Sequence, residues 1–461
     1  MRSLAGVPVL ALTLVFGAAT VTGTWNYSGR LSTRAPGPPI TVSGNAFWQG
    51  NTRFYIRGLD YQPGGSSAMQ DPLADPVVCQ RDIAEFRKLG INTIRVYITD
   101  NSANHDECMR ALADAGMYAI IDANNPLYSI NRLDPAPSYN AYYLQSVFAT
   151  IDEFAKYDNT LAFFSGNEVV NDQSSSILAA PYVKATTRDM RQYIRSRGYR
   201  NVPVGYSAAD VAQNRMQLAQ YMNCGTDDER SDFFAFNDYS WCNSDFKTAG
   251  WDEKVKIFRD YGIPIFLSEY GCLTNGRDFG EVAALMSSNM TSVYSGGLVY
   301  EYSLEENGFG IVKIPYPHAP AVEEQDGFAR LARTLAANPA PQEDGGFAYP
   351  SHAAACPTKS SDWPVGTSLL PATPEKAKKF MTEGAGPGPG LKGEGSQHAT
   401  DEKSTGTGDA GRGSATTAAL TSSSENVVSN THGKNVGNVE KTPLVVGAVV
   451  IVLSLSGTLL L

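Results

Sequence analysis

The chain of 461 residues is 42% hydrophobic and 10% aromatic and carries a formal net charge of −10. That apolar share suffices for a sizeable buried core, and the acidic balance argues against nucleic acid or an anionic membrane surface as a partner. The five histidines are scattered without paired ligand spacing, so neither a metal site nor a cofactor is expected.

Residues 1–23 open on Arg2, run through the apolar stretch Val7–Phe16 and reach the small residues Ala18, Ala19 and Gly23. This is the order of a secretory signal peptide, and the apolar run falls short of the about 20 residues that a membrane span takes. Six cysteines behind such a leader read as three disulfides in an oxidising compartment. Two glycosylation sequons follow, at Asn26 (Asn26-Tyr27-Ser28) and Asn289 (Asn289-Met290-Thr291). Asn26 stands close to the expected cleavage point.

Residues 24–357 are expected to form one domain in which strand and helix alternate eight times. The strand-like runs are Phe54–Asp60, Asn92–Ile98, Tyr118–Asp122, Leu161–Ser165, Val202–Tyr206, Phe233–Asn237, Pro264–Ser268 and Gly297–Tyr302. They are short, rich in β-branched and aromatic residues and mostly not polar-alternating, as strands buried on both faces are. The amphipathic stretches after them are Asp82–Leu89, Asp106–Ala115, Leu144–Lys156, Tyr182–Arg197, Met216–Met222, Glu253–Tyr261, Glu281–Tyr294 and Phe328–Ala336. Gly90, Gly116, Gly198 and Gly262 stand just before the next strand, in keeping with helix C-capping. Eight such units in an α/β chain predict a (β/α)8 TIM barrel. The alternative, an open doubly wound sheet, is weakened because no phosphate-cradling Gly-rich turn leads from the first strand into a helix.

Residues 358–441 are expected to be a low-complexity stalk. From about Thr373 onward the chain is dominated by Gly, Ser, Thr and Pro, with too little apolar surface to offset its chain entropy. Residues 442–461 are almost continuously apolar, with no Lys or Arg after them. Small acceptors (Ser429, Asn430, Gly433, Asn435), a polar spacer with Lys434, Glu440 and Lys441, and that tail make up a GPI-anchor signal. The expected location is the cell surface, held to the plasma membrane by a lipid anchor.

A barrel places its chemistry at the C-terminal ends of its strands. Those ends carry Tyr61 and Gln62, Tyr97, Asp122 and Asn124, Asn167 and Glu168, Asp238 and Tyr239, Glu269 and Tyr270, and Tyr300 to Tyr302. Glu168 and Glu269 follow apolar runs and lie on strands four and seven, which face each other across the mouth. Cleavage of a glycosidic bond needs such a pair, one acid to protonate the leaving oxygen and one carboxylate to attack; a separation of about 5–5.5 Å goes with a covalent intermediate and retained configuration. Burial and mutual repulsion are expected to raise the pKa of the acid partner. Asn167 is placed to bond the sugar 2-OH, Tyr239 to orient Glu269, and Tyr97, Tyr239 and Tyr300 to stack on sugar rings. Glu301 is the substitute if a strand end is misplaced.

From about Asn45 to Cys356 the chain resembles the fungal GPI-anchored β-1,3-glucanosyltransferases, glycoside hydrolase family 72. The likeness rests on Arg57-Gly58-Leu59-Asp60-Tyr61-Gln62-Pro63-Gly64-Gly65, Asn92-Thr93-Ile94-Arg95-Val96-Tyr97, Gly166-Asn167-Glu168, Tyr239-Ser240-Trp241-Cys242, Ser268-Glu269-Tyr270-Gly271-Cys272 and Gly296-Gly297-Leu298-Val299-Tyr300-Glu301-Tyr302, in that order. The resemblance implies a retaining transglycosylase that cuts β-1,3-glucan internally and transfers the fragment to the non-reducing end of another chain, with glucan donor and acceptor as partners. It implies Glu168 as acid/base, Glu269 as nucleophile, and Gln62, Tyr97, Asp122, Asn167, Tyr239 and Tyr300 as sugar-binding residues. It also implies disulfides Cys79–Cys108, Cys224–Cys356 and Cys242–Cys272, one of the 15 pairings open to six cysteines, and the adjacency of helices one and two and of strands six and seven agrees with it. Phe309 stands where many members have tyrosine. A retaining endo-β-1,3-glucanase, using the same two carboxylates with water as acceptor, is the alternative activity.

Overall fold

The computed structural model describes residues 37–397, except 66, 67, 243, 244, 367 and 368, together with two short strands at 407–408 and 415–416. Three strands, β1 (Ile40–Ser43), β2 (Ala46–Gln49) and β3 (Thr52–Phe54), form an antiparallel sheet ahead of the barrel. The eight runs expected as strands then form β4 (Ile56–Tyr61), β5 (Thr93–Val96), β6 (Tyr118–Asp122), β7 (Thr160–Asn167), β8 (Val204–Ala209), β9 (Phe233–Asp238), β10 (Ile265–Tyr270) and β11 (Tyr294–Val299). Each pairs in parallel with the next, and β11 returns to β4, so the sheet is a closed barrel with no free edge. The interior is packed, not hollow: Phe164, Phe233 and Phe266 meet with ring centroids 5.4–6.0 Å apart. Phe47 of β2 packs against Phe233 and Phe266 from below, so the small sheet covers the end of the barrel where the strands begin.

The α-helices among the described residues are α1 (Pro76–Leu89), α2 (Asp106–Asp114), α3 (Pro135–Ser138), α4 (Ala141–Phe154), α5 (Ala180–Ser196), α6 (Arg215–Asn223), α7 (Trp251–Phe258), α8 (Gly280–Leu285), α9 (Asp326–Ala337) and α10 (Phe380–Glu383). Helix α1 starts under Asp75, whose carboxylate accepts from Val77 and Val78 backbone N–H groups, and stops at Gly90 with φ 72°. Several expected boundaries shift. Helix α8 is six residues long instead of running to Tyr294, because Ser287 back-bonds to the Ala284 carbonyl and the Ser-Ser-Asn stretch after it favours turn over helix. Strand β11 starts at Tyr294 and ends at Val299, before Tyr300. Its Gly296 and Gly297 sit within the strand, where a Cβ at Gly296 would come 2.0 Å from the Ile56 carbonyl oxygen.

The domain does not end near Pro357. Residues 359–366 and 369–397 lie along α4 and α5, burying Trp363, Leu370, Ala377, Phe380 and Ala385. Thr373 donates to Asp189 at 2.8 Å, the Ala385 N–H donates to Tyr193 at 2.8 Å, and Asn140 donates to the Ser396 carbonyl at 2.8 Å. The segment finishes on the loop after β6, where Gln397 donates to the Ser129 carbonyl at 2.6 Å. Its apolar residues are too dispersed to show a period, and they gain cover only from helices about 200 residues earlier. Each buried large apolar side chain contributes roughly 1.5–3 kcal/mol. Truncation after Pro357 is therefore expected to lower the melting temperature of the full chain by several degrees or to prevent folding. Equal melting curves would show that the segment adds nothing. The leader, Asn26, the remaining stalk and the apolar tail fall outside the described residues, among which no helix is long and apolar enough to cross a membrane.

Candidate active site

The aromatic floor of the barrel gives way to polar side chains at the level of Arg95. This residue sits mid-strand in β5 at 0% exposure, between the rings of Tyr97 (4.1 Å) and Phe164 (4.6 Å). Its Nε and Nη2 donate to the two oxygens of Asp122, each at 2.9 Å, a bidentate pair at the end of β6. Nη1 faces Glu269 Oε1 and the Ser268 carbonyl at 3.3 Å and the Tyr97 hydroxyl at 3.2 Å. Burial opposes the charge on Arg95, but Asp122, Tyr97 and Glu269 overcome it, and the guanidinium stays protonated.

Glu269, on β10, receives three donors. Tyr97 donates to Oε1 at 2.8 Å, Tyr239 donates to Oε2 at 2.6 Å, and Arg95 approaches Oε1 from beneath. Burial holds both phenols well above their usual range, with the Glu269 charge adding to it, so each remains a donor. The turn that carries Tyr239 is fixed by Asp238, which accepts from Lys254 at 2.5 Å and from the Ser240 N–H at 2.9 Å. The Cys242–Cys272 disulfide ties that turn to the loop after β10. The other two bridges are Cys79–Cys108, between the starts of α1 and α2, and Cys224–Cys356.

Glu168 follows β7 and adopts φ 48°, a left-handed conformation uncommon for a residue with a Cβ. Its N–H donates to the Ser207 carbonyl at 2.9 Å, which pins the turn to β8. Strained backbone of this kind costs of order 1–3 kcal/mol and gathers at functional sites. Asn237 links the two strand ends: its Nδ2 donates to Glu168 Oε1 at 2.9 Å and Asn167 Oδ1 at 3.1 Å, while its Oδ1 accepts from Ser268 at 2.8 Å. Asn167 Oδ1 also accepts from Ser207 at 2.7 Å, so the amide NH2 of Asn167 is the end left to face a ligand.

Glu168 and Glu269 therefore stand in one mouth, and the Glu168 charge reaches Glu269. The Glu269 carboxyl is pushed up to about 7 by burial, with Glu168 adding and Arg95, Tyr239 and Tyr97 opposing. Glu269 is the more deeply buried of the two carboxylates. The remaining expected residues lie around them. Asp122 is buried with both oxygens turned to Arg95, and Gln62 is buried just after β4, its carbonyl accepting from Ser303 at 3.2 Å. The rings of Tyr239, Tyr300 and Phe309 meet at 5.4–6.1 Å, so the phenylalanine at 309 is the third member of an aromatic wall. Although β11 ends early, Glu301 does not take a catalytic position: it is fully buried and bonded to Asn307 at 2.7 Å. Sequence reasoning used Arg95 only within a motif. A lone arginine inside an apolar strand was the available signal, since a buried charge requires partners. Among the described residues no group of three or more His, Cys, Asp or Glu is arranged to hold a metal.

The family model described as Glucanosyltransferase matches residues 30–336. The chain is 60% identical over 382 residues to the 1,3-beta-glucanosyltransferase gel1 of Aspergillus fumigatus, covering 82% of this chain and 83% of that protein. It is 48% identical over 361 residues to the 1,3-beta-glucanosyltransferase GAS5 of Saccharomyces cerevisiae, covering 77% and 74%. A solved structure of a Saccharomyces cerevisiae Gas2p mutant in complex with laminaritetraose and laminaripentaose aligns with a TM-score of 0.68 and 38% identity, over 74% of this chain and 76% of that one.

Proposed function

The chain belongs to the glucanosyltransferase family, glycoside hydrolase family 72, and from that premise we propose that it is a retaining 1,3-β-glucanosyltransferase that lengthens cell-wall glucan. The observation that carries the reading is the carboxylate Glu269, held by Arg95, Tyr97 and Tyr239 within electrostatic reach of Glu168. In the first step Glu269 attacks the anomeric carbon of a β-1,3-linked glucose while Glu168 gives its proton to the departing oxygen. The anomeric carbon is then bonded to Glu269 as an ester, and the leaving chain carries the proton. In the second step a hydroxyl at the non-reducing end of another glucan attacks that carbon, its proton passing to Glu168, and Glu269 is released as a carboxylate. The reading requires charge on Glu269 and the proton on Glu168; the three donors on Glu269 favour its charged form against its burial.

Asn167 offers its NH2 to the sugar beside Glu168, where a bond to the 2-OH strengthens in the transition state. Tyr300 and Tyr239 supply flat faces, and Gln62 and Asp122 complete the same mouth. Asn289 is exposed on the turn after α8 and is proposed to carry a glycan. Secretion, GPI attachment to the plasma membrane and residence in the wall rest on the two terminal segments of the sequence and on the three disulfides. The acceptor decides between transferase and hydrolase. Incubation with one laminari-oligosaccharide of defined length is expected to yield products longer than the starting chain. Exclusively shorter products would make the chain an endo-β-1,3-glucanase.

A further inference from the structure

Beneath Glu269 lies a carboxyl group that the two-step reaction does not use. Asp60 is the fifth residue of β4, paired in register with Arg95 on β5, and its exposure is 0%. Neither of its oxygens closes a hydrogen bond of normal geometry, although the Tyr97 hydroxyl lies near enough to influence its titration. The charged groups that face it are Glu269 on β10, Arg95 on β5 and Glu301 after β11, and the phenols of Tyr97, Tyr239, Tyr270 and Tyr300 also sense its charge.

Arg95 is adjacent and yet turned away. Its Nε and Nη2 are taken by Asp122, and its Nη1 by Tyr97, Ser268 and Glu269. An ionised Asp60 would leave three buried carboxylates, Asp60, Asp122 and Glu269, around one guanidinium. It would also set two carboxylates competing for the single proton of Tyr97. A buried carboxylate without a partner takes up a proton instead of bearing that cost. Once protonated, it owns a donor, and the Tyr97 oxygen retains capacity to accept it while its own proton goes to Glu269.

We propose that Asp60 is a positioning residue: a neutral carboxylic acid that donates to the Tyr97 oxygen and thereby commits the Tyr97 proton to Glu269. Burial and the charge of Glu269, against the pull of Arg95, hold its carboxyl well above the usual range, in agreement with the geometry. The inference rests on Glu269 as nucleophile for its consequence in turnover, but the protonation state of Asp60 is measurable apart from activity.

The test uses the whole protein and the variants Asp60→Asn and Asp60→Ala. An infrared difference spectrum at neutral pH, wild type minus Asp60→Asn, is expected to contain the carbonyl stretch of a protonated carboxylic acid; a carboxylate signature in its place overturns the proposal. In kinetics, Asp60→Ala is expected to lower kcat about tenfold or more with KM little changed, and Asp60→Asn, neutral and still a donor, to recover transfer to within about threefold of wild type. The acid limb of the Asp60→Asn pH profile is expected to coincide with that of wild type. Its displacement toward lower pH by about a unit would mean that a negative charge had been removed from beside Glu269, and would equally overturn it. If Asp60→Ala fails to fold, the infrared and Asp60→Asn results still decide. If Glu269 proves not to be the nucleophile, only the kinetic consequence falls.

Discussion

Replacing Glu269 with glutamine is expected to leave a folded protein that binds laminari-oligosaccharides and does not turn them over, with transfer down on the order of ten-thousand-fold or more. Glutamine keeps the shape of the side chain, and the hydroxyls of Tyr97 and Tyr239 can each donate or accept. Its amide cannot form the glycosyl ester. The same substitution has a second, opposite effect on stability. The Glu269 carboxyl is raised from 4.5 to about 7 in the folded chain, chiefly by burial. A group raised on folding contributes stability that is complete below its unfolded pKa and is lost as pH rises through its folded one. Wild type therefore loses stability between about pH 4.5 and 7, by at most about 3 kcal/mol at 1.36 kcal/mol per unit. Glu269→Gln cannot lose it, so its melting temperature is expected to exceed that of wild type at pH 8 and to approach it at pH 4.5. Activity retained in this variant would remove Glu269 from the mechanism. A melting temperature lower at pH 8 than wild type would mean that its donors outweigh its burial.

This opposition explains which parts of the site were legible in the sequence. A glutamate shortly after an apolar run, as after Ile265-Phe266-Leu267, is out of place unless it has a task, and that anomaly marked both Glu168 and Glu269. The barrel was legible for a related reason. Strands buried on both faces must be apolar throughout, and eight such runs separated by amphipathic stretches leave few architectures. What stayed hidden depended on partners distant in sequence. Arg95 reads as one charge within Thr93–Val96 until Asp122 and Glu269 are placed around it. Asp60 reads as part of a motif until both of its oxygens prove to lack a partner. The segment 359–397 reads as stalk because its buried residues follow no period, and only α4 and α5 reveal what they cover. Phe47 likewise acquires a role only once Phe233 and Phe266 form the floor it closes.

Arg95 is also the position where one substitution should alter stability and pH dependence together. In Arg95→Met the side chain can fill the space between Tyr97 and Phe164, but Asp122 loses its two bonds to the guanidinium and Glu269 loses the cation beside it. Removing one member of a buried ion pair costs about 3–5 kcal/mol, because the other charge is left unpaired. Arg95 is among the groups holding the Glu269 carboxyl down, so without it that carboxyl rises above about 7. A nucleophile must be ionised to attack. The acid limb of kcat/KM is therefore expected to move upward by about a unit or more, and transfer at pH 7 to fall about a hundredfold. The double variant Arg95→Met with Asp122→Asn separates the two effects. It removes the stranded carboxylate and is expected to recover most of the melting temperature, yet it leaves the acid limb displaced, because nothing cationic has been returned to Glu269. An acid limb that coincided with that of wild type in both variants would show that Tyr97 and Tyr239 alone keep Glu269 ionised, and that the arginine serves the fold.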